Sequence, residues 1–173
     1  MTNQVDSLIL GRVIGDVLDL FVPSVRMSVH YGGKYVCNGC NIKPSLAIHP
    51  PTVQITGRSS DLFTLVMVDA DAPNPSEPVL REWIHWIVVD IPGATSPLCG
   101  REVAPYMAPR PPLGIHRYVF SLFQQKQQFP IVDAPTSRSN FNTRDFADTF
   151  DLGLPVAAVY FNSQKEPLRC RRS

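Results

Sequence analysis

The chain has 173 residues, of which 44% are hydrophobic, and its formal net charge is +1. This length suits one domain, over residues 1–173, that is large enough to bury a sizeable core. The small net charge excludes a strong overall attraction to nucleic acid or to an anionic membrane. No apolar run could span a bilayer, and the sequence has no signal peptide, so we expect a soluble intracellular protein without a transmembrane segment.

The first predicted element is an amphipathic helix from Leu10 to Phe21, which ends before Pro23. Its apolar residues recur at helical spacing and are Leu10, Val13, Ile14, Val17, Leu18 and Phe21. Gly11 and Gly15 lie inside this stretch, and each lowers helix propensity by about 1 kcal/mol relative to alanine.

Six later runs rich in β-branched or aromatic residues predict strands, and most of the 17 prolines lie between them. These runs are Arg26 to Tyr31, Val53 to Thr56, Phe63 to Val68, His85 to Ile91, Tyr118 to Phe123 and Val156 to Phe161. A short helix is predicted over Thr143 to Phe150, with Asn142 as its N-terminal cap. Many short strands with few helices favour a mainly β fold, an antiparallel β-sandwich.

Polar residues at the end of one predicted strand and at the start of the next could share one pocket. Asp69 and Asp71 end an apolar run, and residues two apart on a strand share a face, so both carboxylates are predicted to point the same way. Trp83 and His85 share a face by the same rule. Nearby carboxylates would favour the charged forms of His85 and of a second histidine, His116.

The second polar segment, Pro109 to Arg117, contains Gly114 and His116. A protonated imidazole donates from both nitrogens, and a glycine allows close backbone approach to an anion. These groups could bind a phosphate monoester, with Trp83 as an apolar wall. The alternative is that the Asp and His side chains only tie strands and loops together.

Catalysis is a weaker interpretation of the same residues. Two Asp and two His could bind a metal, and an Asp–His pair could activate a nucleophile. The sequence lacks a Gly-x-Ser-x-Gly elbow and a His-x-x-x-His spacing. We therefore expect no enzyme, and a hydrolase or metal enzyme stays the less favoured alternative.

Several motifs in register resemble those of the phosphatidylethanolamine-binding protein family, over nearly the whole chain. They are Asp69-Ala70-Asp71-Ala72-Pro73, His85-Trp86, Gly114-Ile115-His116-Arg117, Asn38-Gly39-Cys40-Asn41-Ile42-Lys43-Pro44-Ser45, Asn140-Phe141-Asn142-Thr143-Arg144 and Leu152-Gly153-Leu154-Pro155-Val156-Ala157. Together they look like the plant flowering-regulator group. Trp83, Arg110-Pro111-Pro112 and the segment Tyr160 to Pro167 look most like the mother-of-FT branch.

The resemblance implies a β-sandwich with a few peripheral helices and a pocket for a phosphate or phospholipid head group. The implied ligand-binding residues are Asp69, Asp71, Trp83, His85, Pro109, Gly114 and His116. No cofactor or metal is implied. The family has proline where this chain has Ala70, and from the sequence alone Ala70→Pro is expected to raise the melting temperature slightly. Cis peptide bonds are implied at Ala72-Pro73 and Arg81-Glu82.

The resemblance also implies a non-enzymatic regulator of germination or flowering type, acting in cytoplasm and nucleus through a bZIP transcription factor presented by 14-3-3 proteins. The candidate docking residues are Arg58, Pro92, Lys126 and Gln128. Ser60 and Cys99 replace a basic and an aromatic position of the family's docking surface, so 14-3-3 binding is expected to be weakened or lost. The polar segment Gln124 to Ser139 is expected to be an exposed regulatory loop. We expect a monomer with no direct nucleic-acid contact.

A different class of function remains open, a phospholipid head-group carrier or sensor whose activity depends on the pocket.

The cysteines carry a weaker signal. Cys37 and Cys40 have metal or redox spacing, but no second pair completes a zinc site, so reduced thiols are expected. The basic tail from about residue 167 is interpreted as a solvated terminus.

Overall fold

The computed structural model describes residues 2–169, which form nine strands and three helical segments. The strands are β1 (Met27–Tyr31), β2 (Lys34–Tyr35), β3 (Cys40–Asn41), β4 (Thr52–Ile55), β5 (Leu62–Asp69), β6 (Trp83–Pro92), β7 (Arg101–Ala104), β8 (His116–Gln125) and β9 (Ala157–Ser163). The helical segments are α1 (Thr2–Leu10), the irregular turn α2 (Val13–Asp16) and α3 (Thr143–Thr149). Two short 3-10 turns lie at Pro44–Leu46 and Pro97–Cys99.

The strands form two sheets with an apolar core between them. The smaller sheet has the order β2-β1-β4, and the larger has the order β3-β9-β8-β5-β6-β7. Their pairings are antiparallel except for the short parallel contact of β3 with β9. A second core covers the other face of the larger sheet beneath the helical segments. The predicted antiparallel sandwich with peripheral helices is confirmed.

The central strand β5 contributes side chains to both cores. Phe63, Leu65 and Met67 enter the core between the sheets, whereas Val66 and Val68 enter the core beneath the helices. All five are fully buried. A continuous apolar run, rather than an alternating one, is typical of a strand that is covered on both faces.

The predicted helix from Leu10 to Phe21 is wrong, because α1 ends where that helix was to begin. The backbone is left-handed at Arg12, with φ 58°, and Gly15 has φ 113°. Gly11 lies against Tyr160, and a Cβ atom on this glycine would be 2.2 Å from the tyrosine hydroxyl oxygen. The helical spacing reflects a buried turn instead: Val13, Val17, Leu18 and Phe21 still enter the core, whereas Leu10 is exposed.

The six predicted strands all form, with ends within two residues of the predicted positions. Sequence patterns missed β2, β3 and β7. Strands β2 and β3 have two residues each, too few to display a period, and β7 begins with the charged pair Arg101-Glu102. Helix α3 forms as predicted, and the Asn142 side chain accepts a hydrogen bond from the Asp145 backbone N–H at 3.0 Å. The two implied cis bonds, Ala72-Pro73 and Arg81-Glu82, are present.

Two further expectations from the sequence concern the basic C-terminal tail and membrane-spanning segments. Most of the basic tail, residues 170–172, lies outside the described residues. Within residues 2–169, no helix combines the length and apolar character needed to cross a membrane.

Candidate functional site

A row of directly paired residues crosses the larger sheet at the end of β5. Asp69 lies opposite Trp83 on β6 and opposite Tyr118 on β8. Tyr118 in turn lies opposite Phe161 on β9. Directly opposed residues share one face of a sheet, and here Tyr118 and Phe161 belong to the core between the sheets. The candidate site therefore lies at one end of that core.

His116 is the charged histidine of this site. Its Nδ1 atom is 2.7 Å from a carboxylate oxygen of Asp69, and its Nε2 atom is 2.9 Å from the carbonyl oxygen of Leu113. Both partners are acceptors, and only the protonated ring can donate from both nitrogens. Burial lowers the pKa of His116, but the hydrogen bond and charge of Asp69 outweigh it and raise the pKa overall. We conclude that the ring is an imidazolium.

His85 has the opposite protonation preference. Its Nδ1 atom is 2.6 Å from the Met107 carbonyl oxygen, so Nδ1 carries the donating proton. Burial lowers the pKa of His85 despite that hydrogen bond and the nearby Asp69 charge. The expectation that both histidines favour their charged forms is therefore correct for His116 and wrong for His85. The neutral ring presents its Nε2 lone pair as an acceptor.

Tyr118 lies between the two imidazoles and was not predicted as a site residue. Its ring is 5.1 Å from the His85 ring in an edge-on contact and 6.3 Å from the His116 ring in a stacked contact. Its hydroxyl is buried and makes no hydrogen bond of ordinary geometry among the described residues, although the Asp69 carboxylate lies close enough to interact with it. Burial, followed by the charge of Asp69, raises the pKa of this hydroxyl. The available signal was the two-residue spacing from His116 on one strand.

Asp71 does not share the partners of Asp69, contrary to the expectation that both carboxylates face one pocket. The Asp71 carboxylate accepts from the backbone N–H of Arg117 at 2.8 Å and from its guanidinium at 2.8 and 2.9 Å, with Arg81 at 3.4 Å. Burial raises the pKa of Asp71, but Arg117 outweighs this effect and lowers it overall. The two-residue rule fails because β5 ends at Asp69. Arg117 also binds Asp16 at 3.0 Å, so Asp71 ties the sheet to α2.

The three remaining predicted ligand residues differ in their surroundings, and of these three only Trp83 is paired directly with Asp69. Trp83 is half-buried, and its indole N–H donates to the Met107 sulfur at 3.5 Å. Pro109 is buried and helps to line a groove of about 320 Å³. Gly114 has φ 78°, and a Cβ atom there would be 2.7 Å from the ring of Pro75. The group that lies close to the Gly114 backbone is therefore the Pro75 ring. Glycine is required at this position because a side chain would collide with Pro75 and because the backbone φ is positive.

Glu82 is a second buried group that the sequence analysis missed. Its carboxylate accepts from both the backbone N–H and the hydroxyl of Thr143, the first residue of α3. Burial raises the pKa of Glu82 to about 7, against the opposing effects of Thr143 and Arg144. The backbone of Glu82 also exchanges hydrogen bonds with Phe141 at 3.0 and 2.9 Å. Glu82 thus fixes the end of the polar loop and the start of α3.

The candidate docking residues lie at the opposite end of β5. Leu62 pairs with Pro92 on one side and with Gln125 on the other. Residues 60–62 and 124–127 line a surface cavity of about 550 Å³. Seven residue steps along β5 separate this end from Asp69, which corresponds to about 23 Å of strand.

The charges at this docking end are few. Arg58 is exposed, and Gln128 is exposed and uncharged. Lys126 forms an exposed ion pair with Asp151, at 2.6 Å. Asp61, which accepts from the Arg58 backbone N–H, adds a negative charge. The structure therefore brings the four candidate docking residues to one end of β5. Two of the four are cations, and within the described residues Lys126 has a carboxylate partner whereas Arg58 has none.

A family model for phosphatidylethanolamine-binding proteins matches residues 21–161. The chain is 54% identical to Protein MOTHER of FT and TFL1 homolog 2 of Oryza sativa subsp. japonica, over 99% of this chain and 100% of that relative. It is 51% identical to Protein TERMINAL FLOWER 1 of Arabidopsis thaliana, over 99% of this chain and 97% of that relative. The chain therefore belongs to the phosphatidylethanolamine-binding protein family, and its relatives are plant flowering regulators.

A solved structure extends the likeness to the fold. Carboxypeptidase Y inhibitor, determined in complex with its cognate proteinase, superposes with a TM-score of 0.82 at 25% identity, covering 95% of this chain and 96% of that chain. The family resemblance drawn from the motifs is thereby confirmed, as is the likeness to the mother-of-FT branch. Among residues 2–169, no group of three or more His, Cys, Asp and Glu side chains is placed to hold a metal ion.

Proposed function

We propose that this protein is a non-enzymatic regulator of plant development that responds to a phosphate-bearing ligand at the Asp69–His116 site. The observation that carries the proposal is the buried imidazolium of His116 beside the neutral ring of His85. The imidazolium is paired with the Asp69 carboxylate, so it would serve the ligand as a charge-assisted hydrogen-bond donor at Nε2 rather than as an unpaired positive charge. The family membership and the regulatory relatives support the same reading.

The ligand would compete with one specific protein contact. The Nε2 atom of His116 donates to the carbonyl oxygen of Leu113, and the ligand's phosphate oxygen would take the place of that carbonyl. Leu113 and Ile115 are 67% and 50% exposed, so the segment between Pro112 and His116 lies at the surface. Exposed loops rearrange at lower cost than core strands. The proposal therefore includes a local movement of this segment on binding.

Calorimetric titration tests the site with inorganic phosphate, phosphoethanolamine and phosphatidylethanolamine vesicles in parallel. His116→Gln should weaken binding at least tenfold, which corresponds to about 1.4 kcal/mol. His49→Gln is the matched control, because His49 is exposed and lies outside the site. Equal affinity of wild type and His116→Gln for all three probes, with both proteins folded, would refute the site. Binding of vesicles alone would favour a lipid head group over free phosphate.

The proposed route of action is contact with a bZIP transcription factor, directly or through a 14-3-3 protein, by a monomer in cytoplasm and nucleus. The cavity at the start of β5, between residues 60–62 and 124–127, supports a docking surface there. The pairing of Lys126 with Asp151 argues for weak 14-3-3 binding. Titration with a plant 14-3-3 protein is the direct test. Micromolar affinity would support the adaptor route, and absence of binding would leave direct contact with the transcription factor.

A phospholipid head-group carrier or sensor is the second candidate, favoured by the same imidazolium. The separation of about 23 Å along β5 makes the two roles distinguishable. A double variant, His85→Ala with His116→Ala, should retain partner binding if the protein is an adaptor. It should lose activity entirely if the head group is the signal. Circular dichroism on the variant confirms that it is folded before either result is interpreted.

A further inference from the structure

The segment from Cys37 to Cys40, between β2 and β3, is a tight turn with a cysteine at each end. The backbone N–H of Cys40 donates to the carbonyl oxygen of Cys37 at 3.0 Å, and Gly39 has φ 78°. The first and last Cα atoms of such a turn lie within about 7 Å of each other. Disulfide-bonded cysteines have Cα separations of about 4.4–6.8 Å. The turn therefore brings the two cysteines into the range of a disulfide.

The side chains of the two cysteines also face each other. The backbone N–H of Cys37 donates to the Cys40 sulfur at 3.4 Å, so that sulfur lies over the turn. Burial raises the pKa of Cys40 against the opposing hydrogen bond from the Cys37 backbone N–H, and the nearby Cys37 thiol adds to the rise. Both thiols are free, with Cys37 exposed and Cys40 half-buried. One sulfur is thus open to a dissolved oxidant, and the other is next to it.

Neighbouring strands and α1 hold this turn in place. Gly39 donates its backbone N–H to the Tyr160 carbonyl oxygen at 3.1 Å, and the Asn38 side chain accepts from the Tyr160 N–H at 3.1 Å. The Asn38 amide also donates to the carbonyl oxygen of Gln4 in α1 at 3.3 Å. A turn that is already fixed loses little further conformational entropy when its ends are joined.

We propose that Cys37 and Cys40 form a reversible intramolecular disulfide when the protein meets a peroxide. The Cys37 thiolate attacks a peroxide oxygen, so the O–O bond breaks, Cys37 becomes a sulfenic acid and the other oxygen leaves as water or an alcohol. The Cys40 thiolate then attacks the Cys37 sulfur, and the S–O bond breaks to release hydroxide, which takes up a proton to give water. With hydrogen peroxide, two thiols and one peroxide yield one disulfide and two waters.

The disulfide would lie at the end of the row that contains the candidate ligand site. Cys40 lies opposite Phe161, which lies opposite Tyr118, which lies opposite Asp69. The rings of Phe161 and Tyr118 are stacked at 5.2 Å between centroids. Oxidation at this turn should therefore change the NMR signals of the Tyr118 ring. The proposed disulfide does not depend on the proposed ligand function.

Peptide mapping of the full chain after treatment with hydrogen peroxide tests the proposal. Trypsin should release the fragment 35–58, since cleavage after Lys43 is blocked by Pro44, and this fragment contains Cys37 and Cys40 but neither Cys99 nor Cys170. The oxidised fragment should lose the mass of two hydrogen atoms and both alkylation sites. Dithiothreitol should restore both sites.

Two single variants complete this test. Cys37→Ser should abolish the mass loss in the fragment, and the exposed position of Cys37 means that the variant should fold normally. Cys99→Ser is the matched control and should oxidise like wild type. The proposal is overturned if both cysteines of the fragment stay alkylatable. It is equally overturned if Cys37 proceeds to sulfinic acid, or pairs with Cys99, Cys170 or a second chain.

Discussion

The Nδ1 atom of His116 lies 2.7 Å from a carboxylate oxygen of Asp69, although the residues are 47 positions apart in the chain. The second nitrogen of the same ring donates to a backbone carbonyl, so the ring is held in its charged form. His85 contacts Tyr118, as His116 does, but burial holds the His85 ring neutral. The candidate site therefore contains one cationic and one neutral imidazole, which gives it a defined electrostatic polarity.

The two histidines should titrate on opposite sides of the ordinary histidine pKa of about 6.5. Asp69 raises the pKa of His116 and burial lowers that of His85. NMR spectra of the histidine rings, recorded from acid to alkaline pH, measure the two pKa values. The variants His85→Gln and His116→Gln assign each signal to its residue. Titration of both rings on the same side of the ordinary value would contradict the assigned protonation states.

Asp69→Asn should destabilise the protein by about 3 kcal/mol, because it leaves a buried imidazolium without its counter-charge. The folded state holds the His116 proton more tightly than the unfolded state. The stabilisation is therefore complete below the unfolded pKa of about 6.5 and is lost as the pH rises through the folded pKa. Urea unfolding at several pH values should show the largest difference in acid. Asp133→Asn, at an exposed position, is the control, and a difference that grows towards alkaline pH would refute the argument.

Glu82→Gln should stabilise the protein by about 2 kcal/mol at pH 8 and give little gain at pH 5. The pKa of Glu82 is raised to about 7 from 4.5, so the folded state favours the protonated carboxyl. Its contribution is complete below 4.5 and is lost as the pH rises through about 7. A glutamine keeps an acceptor for Thr143 without the buried charge. Thermal unfolding of this variant and of the exposed control Glu77→Gln measures the effect, and a loss of stability at pH 8 would show that the charge is required.

Ala70→Pro should lower the melting temperature, which corrects the small rise expected from sequence alone. The backbone N–H of Ala70 donates to the Arg117 carbonyl oxygen at 3.0 Å, and proline would remove this donor from a buried position. The entropic gain from a stiffer chain is about 0.4–1 kcal/mol, and proline at a position whose N–H is hydrogen-bonded costs more than this gain. Calorimetric melting curves of wild type, Ala70→Pro and Ala70→Gly measure the three melting temperatures. Ala70→Gly is the control, because glycine keeps the N–H that proline removes. A higher melting temperature for the proline variant would restore the original expectation.

Asp151→Asn should strengthen binding to an acidic partner surface severalfold if Lys126 takes part in docking. The substitution releases Lys126 from its exposed ion pair, and asparagine tolerates the left-handed backbone at this position, where φ is 51°. The stability change should be below about 1 kcal/mol, because both partners are exposed. Titration with a 14-3-3 protein compares wild type, Asp151→Asn and the control Asp148→Asn. Unchanged affinity would remove Lys126 from the docking surface.

Much of the fold could be predicted because apolar runs identify strands whatever their neighbours are. The run from Leu65 to Val68 is buried on both faces, and it would be a strand in any sandwich of this size. The Leu10 to Phe21 prediction failed because helical spacing describes which residues are buried and not the backbone between them. Gly11 is fixed by its contact with Tyr160, which lies at the other end of the sequence.

The candidate site could be predicted only as far as local spacing reaches. Asp69 and His116 follow from their motifs, and the structure brings them together. The separate partners of Asp71 depend on where β5 ends and on Arg117, which lies on β8. The neutral state of His85 depends on burial, which no motif records. Long-range pairing and desolvation therefore account for what the sequence could not supply.

The placement of β9 between β8 and β3 has a consequence for synthesis of the chain. Cys40, near the start, pairs with Phe161, near the end, so the larger sheet cannot be completed until the ribosome has made residue 163. Until then, both β8 and β3 have an unpaired edge that can associate with other nascent chains. Premature stops before β9 should therefore yield aggregates instead of partly active fragments.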